Sequence, residues 1–262
     1  MPELPEVNTV AKVFRKTVLN NPIAKVEVYD SKILRRDTPD VFAQAIERQS
    51  FIDTYRHGKY FFAKLDSGKH VLFHLGMTGD IHFYHHEDER PKYVRFEIFF
   101  ADGLILGYED LRKFSQILIV PNLKQYLEET RLGPDALRIR KEAFLKLFAE
   151  RKTPLKAILM NQQLLAGIGN LYADEICYQA RLHPGSTAGV LKKKELETIF
   201  EKMKSILKLA CRKNAYYRVY PKNWFWEWRK AGNRIPKIGV VKKTKIGGRT
   251  TFFVDKYQKL IR

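Results

Sequence analysis

The stretch KYFFAKLDSGKHVLFHL, residues 59–75, decides the fold. Two short apolar runs, 59–65 and 70–75, flank the turn signal Asp66-Ser67-Gly68, a pattern of consecutive strands rather than of a helix. Outward from it the same strand character recurs at 23–28 (IAKVEV), 94–100 (VRFEIFF) and 104–108 (LILGY), with Asp102-Gly103 turning between the last two. Strands in that number without long helices between them predict a sandwich or barrel. One helix precedes them, because residues 7–20 repeat Val7, Val10, Phe14 and Val18 at helical spacing. Near residue 121 the period changes. Segments 141–151, 154–161, 170–180 and 190–213 predict helices, and Leu132-Gly133-Pro134 punctuates a linker. The last stretch is aromatic and basic. It predicts strands at 238–246 and 249–255 turning at Gly247-Gly248, and a strand at 224–228 would put Trp224, Trp226 and Trp228 on one face.

Charge narrows the function. The 262 residues hold 48 Lys and Arg against 29 Asp and Glu, a net of +19. Folding does not need that excess; it raises the local concentration of a polyanion and speeds encounter with it. Nucleic acid is the natural partner, although ribosomal, membrane-surface and halotolerant proteins share the trait. Residues 216–262 alone carry thirteen basic residues and two acids. Only Cys177 and Cys211 are present, which argues against a disulfide scaffold and rules out a four-cysteine zinc site. The opening Met1-Pro2-Glu3-Leu4-Pro5-Glu6 has no secretion-signal character, and no run approaches the roughly eighteen apolar residues of a membrane span. An intracellular protein of the cytoplasm or nucleoid, monomeric and without a membrane partner, is expected.

Four constellations carry candidate chemistry. If Met1 is removed, Pro2 presents a secondary amine, and an N-terminal amine titrates near ~8, so a useful fraction is nucleophilic at neutral pH. Attack on a sugar anomeric carbon gives an iminium; Glu3 is placed to move protons and Glu6 to orient backbone or water. The same residues also suit an ordinary first helical turn, where acids favour the dipole. Gly167-Ile168-Gly169-Asn170 lies between two predicted helices; glycines admit a close ligand, helix-terminal amides bind phosphate, and Asn170 can cap the helix or bond a phosphate oxygen. The third and fourth are HLGMTG at 74–79 and DLRKFS at 110–115. There Met77, Arg112 and Phe114 offer a cation and apolar wedges for filling a gap in a base stack, with ordinary core residues as the alternative.

Together these pieces resemble the formamidopyrimidine-DNA glycosylase / endonuclease VIII family. The matching stretches are PELPEV (2–7), GKYFF (58–62), HLGMTG (74–79), DLRKF (110–114), LGPDAL (132–137), LAGIGNLYADE (165–175), ARLHP (180–184) and GGRTTFF (247–253), in order along nearly the whole chain. The resemblance implies an α+β protein: an N-terminal β-sandwich with flanking helices (1–120), a linker (121–134), a helix–two-turn–helix domain (135–215) and a finger-like β-hairpin (216–262). It implies Pro2 as Schiff-base nucleophile, Glu3 as acid partner with Glu6 in support, and Lys59 on a phosphate beside the lesion. Met77, Arg112 and Phe114 match the void-filling trio, and Asn170 and Arg249 the phosphate clamps. The partner it implies is damaged double-stranded DNA.

Three departures stand out. Leu111 replaces a frequent proline. No glycine- and threonine-rich lid is visible after the long helix, where Cys211–Tyr217 sits. The finger cysteines are absent, with Val254 and Tyr257 at the last pair, so a zincless finger and no metal or other cofactor are expected. A base-excision-repair glycosylase with AP lyase activity by β,δ-elimination leads. A noncatalytic lesion- or structure-binding protein on the same fold is the rival, and an RNA-binding protein comes third.

Overall fold

The computed structural model describes residues 1–262, the side chain of Glu87 excepted. The chain forms two compact units, Met1–Pro2 with Glu6–Arg131, and Glu3–Pro5 with Leu132–Arg262.

Helix α1 (Leu4–Thr17) starts with Pro5 in its opening turn, where a missing N–H costs nothing; its part in the first unit buries Val7, Ala11 and Phe14, and Val18 just after it is buried as well. It packs on a sandwich of two antiparallel sheets. One orders β1 (Ile23–Val28), β6 (Val94–Phe100), β7 (Ile105–Asp110) and β5 (Gly79–Tyr84); the other orders β2 (Phe51–His57), β3 (Tyr60–Leu65), β4 (His70–His74) and β8 (Gln116–Val120). The Phe14 ring sits edge-on to Phe51 and Phe61, each at 5.0 Å. Helix α2 (Pro39–Ile46), capped by Thr38, contributes Phe42 and Ile46 to the same core.

The second sheet is covered on both faces. Phe61, Phe73 and Ile117 point into the sandwich, while Phe62, Leu72 and Leu118 pack outside against Tyr126. Two buried faces make residues 59–65 a nearly unbroken apolar run instead of an alternating one. The outer cover is α3 (Leu123–Glu129), which occupies part of the stretch expected to be a linker. Asn122 caps it through the Gln125 N–H at 3.1 Å, and Leu123, Tyr126 and Leu127 form its apolar face.

The second unit is helical: α4 (Lys141–Lys146), α5 (Leu155–Met160), α6 (Asn170–Gln179) and α7 (Lys193–Arg212). Helix α6 is the centre, buried from Tyr172 through Tyr178. α7 lays Leu196, Ile199, Met203, Ile206, Leu207 and Ala210 into the same core. A three-stranded sheet of β9 (Arg234–Ile235), β10 (Gly239–Ile246) and β11 (Arg249–Val254) completes the unit. Ile246 pairs with Arg249 across the two-residue turn Gly247-Gly248, both at positive φ, as expected.

The strand expected at 224–228 is a 3-10 turn over Phe225–Trp228. Its backbone joins no strand; the Trp226 N–H donates to the buried Glu175 carboxylate at 3.0 Å. A three-residue period puts Phe225 and Trp228 on one side, and both pack with Tyr178, Ile235, Val241 and Val254 to form the finger's core. Phe225 stacks on Tyr178 at 4.7 Å. Trp226 points elsewhere, against Tyr217 at 5.4 Å. Phe225→Ala should therefore cost about 3 kcal/mol or more and strip amide-exchange protection from β10 and β11. Trp226→Ala should spare that protection; equal loss from both substitutions would refute this division of the rings.

Candidate active site

Glu3 is 4% exposed and belongs to the second unit. Its carboxylate accepts the N–H groups of Gly169 at 2.6 Å, Leu171 at 2.8 Å and Tyr172 at 3.3 Å. Those are the orphan amides of the first turn of α6, and a carboxylate there is favoured by both hydrogen bonds and dipole. The helix cap expected of Asn170 is thus supplied by Glu3; Gly169 holds the N-cap position without a side-chain bond, and Asn170 is the first helical residue. The two glycines do admit a close neighbour, and the neighbour is the chain's own start. A Cβ on Gly169 would lie 2.4–2.7 Å from Glu3 side-chain atoms, and one on Gly167, at φ +116, would lie 2.6 Å from Leu4. The Leu4 N–H donates to the Gly167 carbonyl at 3.0 Å. Asn170 keeps its Oδ1 buried with no partner among the described residues, which suits an external hydrogen-bonding group.

In the first unit, the loop after β4 and the loop after β7 are tied by one fully buried carboxylate, Asp110. It accepts the Thr78 hydroxyl, the Arg112 N–H at 3.1 Å and the Ser115 N–H at 3.0 Å; Thr78 Oγ1 also accepts the Arg112 N–H at 3.0 Å. Burial raises the Asp110 carboxyl, and these hydrogen bonds outweigh it, holding the group below its ordinary value. Lys113, at positive φ, turns away to pair with Asp30 at 2.5 Å. Its neighbours are left outward: Phe114 is 49% and Met77 38% exposed, and the Arg112 guanidinium lies over the Phe114 ring at 4.8 Å. These apolar side chains are not core.

Lys59 is buried in the turn between β2 and β3, which the Arg56 side chain braces through the Gly58 carbonyl at 3.0 Å. Sequence patterning does not single out His74, whose ring lies 4.8 Å from Tyr60. Burial, with Lys59 and Arg35 adding, pushes it down to about 4, so it is neutral at physiological pH. Pro2 and Glu6 are half-buried and Arg249 is exposed near the hairpin turn. Asp110 is the other residue that patterning misses; its only signal is its place at the head of DLRKF.

After α7 the chain makes a tight turn through Asn214 and Ala215, both at positive φ, and a 3-10 turn over Tyr217–Val219. The Tyr220 hydroxyl, 2.8 Å from that of Tyr172, pins this segment to α6.

A sandwich followed by a helical unit with a basic hairpin is the architecture of a DNA-repair glycosylase. Residues 1–117 match the family model of the formamidopyrimidine-DNA glycosylase N-terminal domain, and residues 132–218 that of the formamidopyrimidine-DNA glycosylase H2TH domain. A formamidopyrimidine-DNA glycosylase of Arabidopsis thaliana is 31% identical over 99% of this chain and 71% of its own length. One of Mycoplasma mobile is 30% identical over 99% of this chain and all of its own. The solved complex of Lactococcus lactis Fpg with abasic-site DNA superposes with a TM-score of 0.88 at 22% identity, covering 98% of this chain and 99% of that one. The chain belongs to the formamidopyrimidine-DNA glycosylase / endonuclease VIII family, and is accordingly a DNA glycosylase.

Asp110 generates a prediction with a definite sign. A carboxyl depressed in the folded state contributes stability above its unfolded value of ~3.9, lost as pH falls through the folded one. Asp110→Asn replaces an acceptor of several bonds with a group that turns a donor toward donors. It should cost about 2 kcal/mol at neutral pH, and the difference from the parent protein should shrink on acidification toward pH ~3. Denaturant melts across pH measure it; a difference independent of pH would show that the Asp110 charge does not organise the loops.

Proposed function

We propose that the chain is a bifunctional base-excision-repair glycosylase and AP lyase acting on damaged duplex DNA. With Met1 removed, the Pro2 amine attacks the anomeric carbon of the damaged nucleotide and the base leaves, taking a proton; the sugar C1′–O4′ bond then opens, Glu3 passing the amine proton to the ring oxygen, and the iminium so formed loses the 3′ and then the 5′ phosphate by β,δ-elimination, which cuts the strand. The observation that carries this reading is the Glu3 carboxylate, next in sequence to Pro2 and fixed by three backbone amides. A group held so rigidly can accept and return a proton without reorganising, with Glu6 in support. Lys59, Asn170 and Arg249 take backbone phosphates, which position without specifying sequence. Met77, Arg112 and Phe114 fill the space vacated by the everted nucleotide, for which their outward aim around Asp110 is suited.

Two further parts follow from this reading. The compact segment 213–220, pinned through Tyr220, leaves no long lid for gripping an oxidised purine, which favours oxidised pyrimidines, hydantoins or abasic sites over 8-oxoguanine. The finger takes no structural zinc. Its residues do not fit one, because 216–262 contains neither cysteine nor histidine, and Val254 and Tyr257 belong to an apolar cluster.

Borohydride trapping in single turnover, in EDTA, on duplexes bearing one defined lesion each, tests the whole. Wild-type protein should form a covalent adduct fastest with pyrimidine-derived, hydantoin or abasic lesions, and Pro2→Ala should abolish it. Tight binding without any adduct would favour the noncatalytic rival. Processing of 8-oxoguanine opposite cytosine as fast as any pyrimidine lesion would refute the substrate preference, and loss of the adduct in EDTA would refute the metal-free finger.

A further inference from the structure

Arg229 stands just after the 3-10 turn, where neither motif nor family resemblance gives it a role. Its Nε donates to Asp174 Oδ2 at 2.7 Å, its guanidinium reaches the Asn170 backbone carbonyl at 3.4 Å, and it lies over the Phe252 ring at 5.0 Å. Asp174, fully buried in α6, also pairs through Oδ1 with Lys156 at 2.7 Å and accepts the Phe252 N–H at 3.3 Å. Lys156, equally buried, donates to the Thr251 hydroxyl at 2.8 Å and the Thr250 carbonyl at 3.3 Å. One carboxylate and two cations therefore grip β11 at residues 250–252, immediately after Arg249. Asp174 stands one turn after Asn170 on α6, and Arg229 adds a side-chain contact to the Asn170 carbonyl itself.

Such a cluster is costly to bury. Desolvation pushes the Asp174 carboxyl up and the Lys156 ammonium down from their ordinary values. Well-packed apolar residues hold two elements together at lower cost, but they do not fix a spacing with the directionality of a hydrogen-bonded ion pair. Here the fixed spacing joins the two residues proposed to clamp phosphates, one at a helix terminus and one on a hairpin. The hairpin's own apolar cluster, around Phe225 and Val254, reaches along β11 as far as Phe252 but does not include residues 249–251.

We propose that Arg229 is a positioning residue that sets the distance between Asn170 and Arg249, so that both engage the DNA backbone at once; this rests on the clamp roles proposed above. Lysine keeps the charge at 229 but cannot fork to Asp174 and the Asn170 carbonyl together. The test is the salt dependence of binding to an undamaged duplex, measured for wild type, Arg249→Ala, Arg229→Lys and the double variant, with thermal melts confirming that each is folded. Arg249→Ala should flatten the log–log slope by about 0.9, one phosphate contact. Arg229→Lys, which removes no charge, should flatten it by a similar amount, and the double variant should add little. A wild-type slope for Arg229→Lys, or additive losses in the double variant, would overturn the proposal. An unchanged slope for Arg249→Ala would instead remove the clamp role on which it stands.

Discussion

The interaction on which the second unit depends is the one between the Glu3 carboxylate and the first turn of α6. Three amides that a helix leaves unsatisfied converge on one acid, and the acid comes from 166 residues earlier in the chain. That arrangement explains several features at once. Gly167 and Gly169 are glycines because Leu4 and Glu3 occupy the space a Cβ would need. Leu4 is buried in the helical core, so the start of the chain is anchored by packing as well as by charge.

Buried carboxylates recur as the organisers of the other working parts. Asp110 ties two loops so that Met77, Arg112 and Phe114 face solvent, and Asp174 holds the hairpin strand. Glu175 accepts the Gln179 side chain at 2.7 Å and the Trp226 N–H at 3.0 Å, and burial pushes its carboxyl up to about 7. In each case an acid satisfies backbone or side-chain donors that no regular secondary structure could pair. This is how a small hairpin is fixed to a helical unit, by ring packing together with buried acids.

Much of the fold was legible because its signals are local. Residues 59–75 read as strands from their turn and their apolar runs, and α7 from the spacing of Leu196, Ile199, Met203 and Ile206. What was not legible depended on partners distant in sequence. α3 is two turns long and mostly polar, and it exists to cover Phe62 and Leu72. The aromatic run at 224–228 has strand propensity, yet propensity yields where Glu175 takes the Trp226 amide and Phe225 stacks on Tyr178. The glycines of 167–170 were read as room for a ligand, because nothing local reveals that residues 3 and 4 fill it. The exposed Met77 and Phe114 were legible only through their motifs; as isolated residues in a strand-rich unit they look like core.

Amide hydrogen exchange at Gly169 and Leu171, compared between the wild-type protein and Glu3→Ala, tests the central interaction most directly. Both amides should be strongly protected in the wild type and lose protection in the variant, while the interior amides of α6 from Ile176 onward stay protected. Unchanged protection at Gly169 and Leu171 in Glu3→Ala would contradict the claim that this carboxylate organises the site.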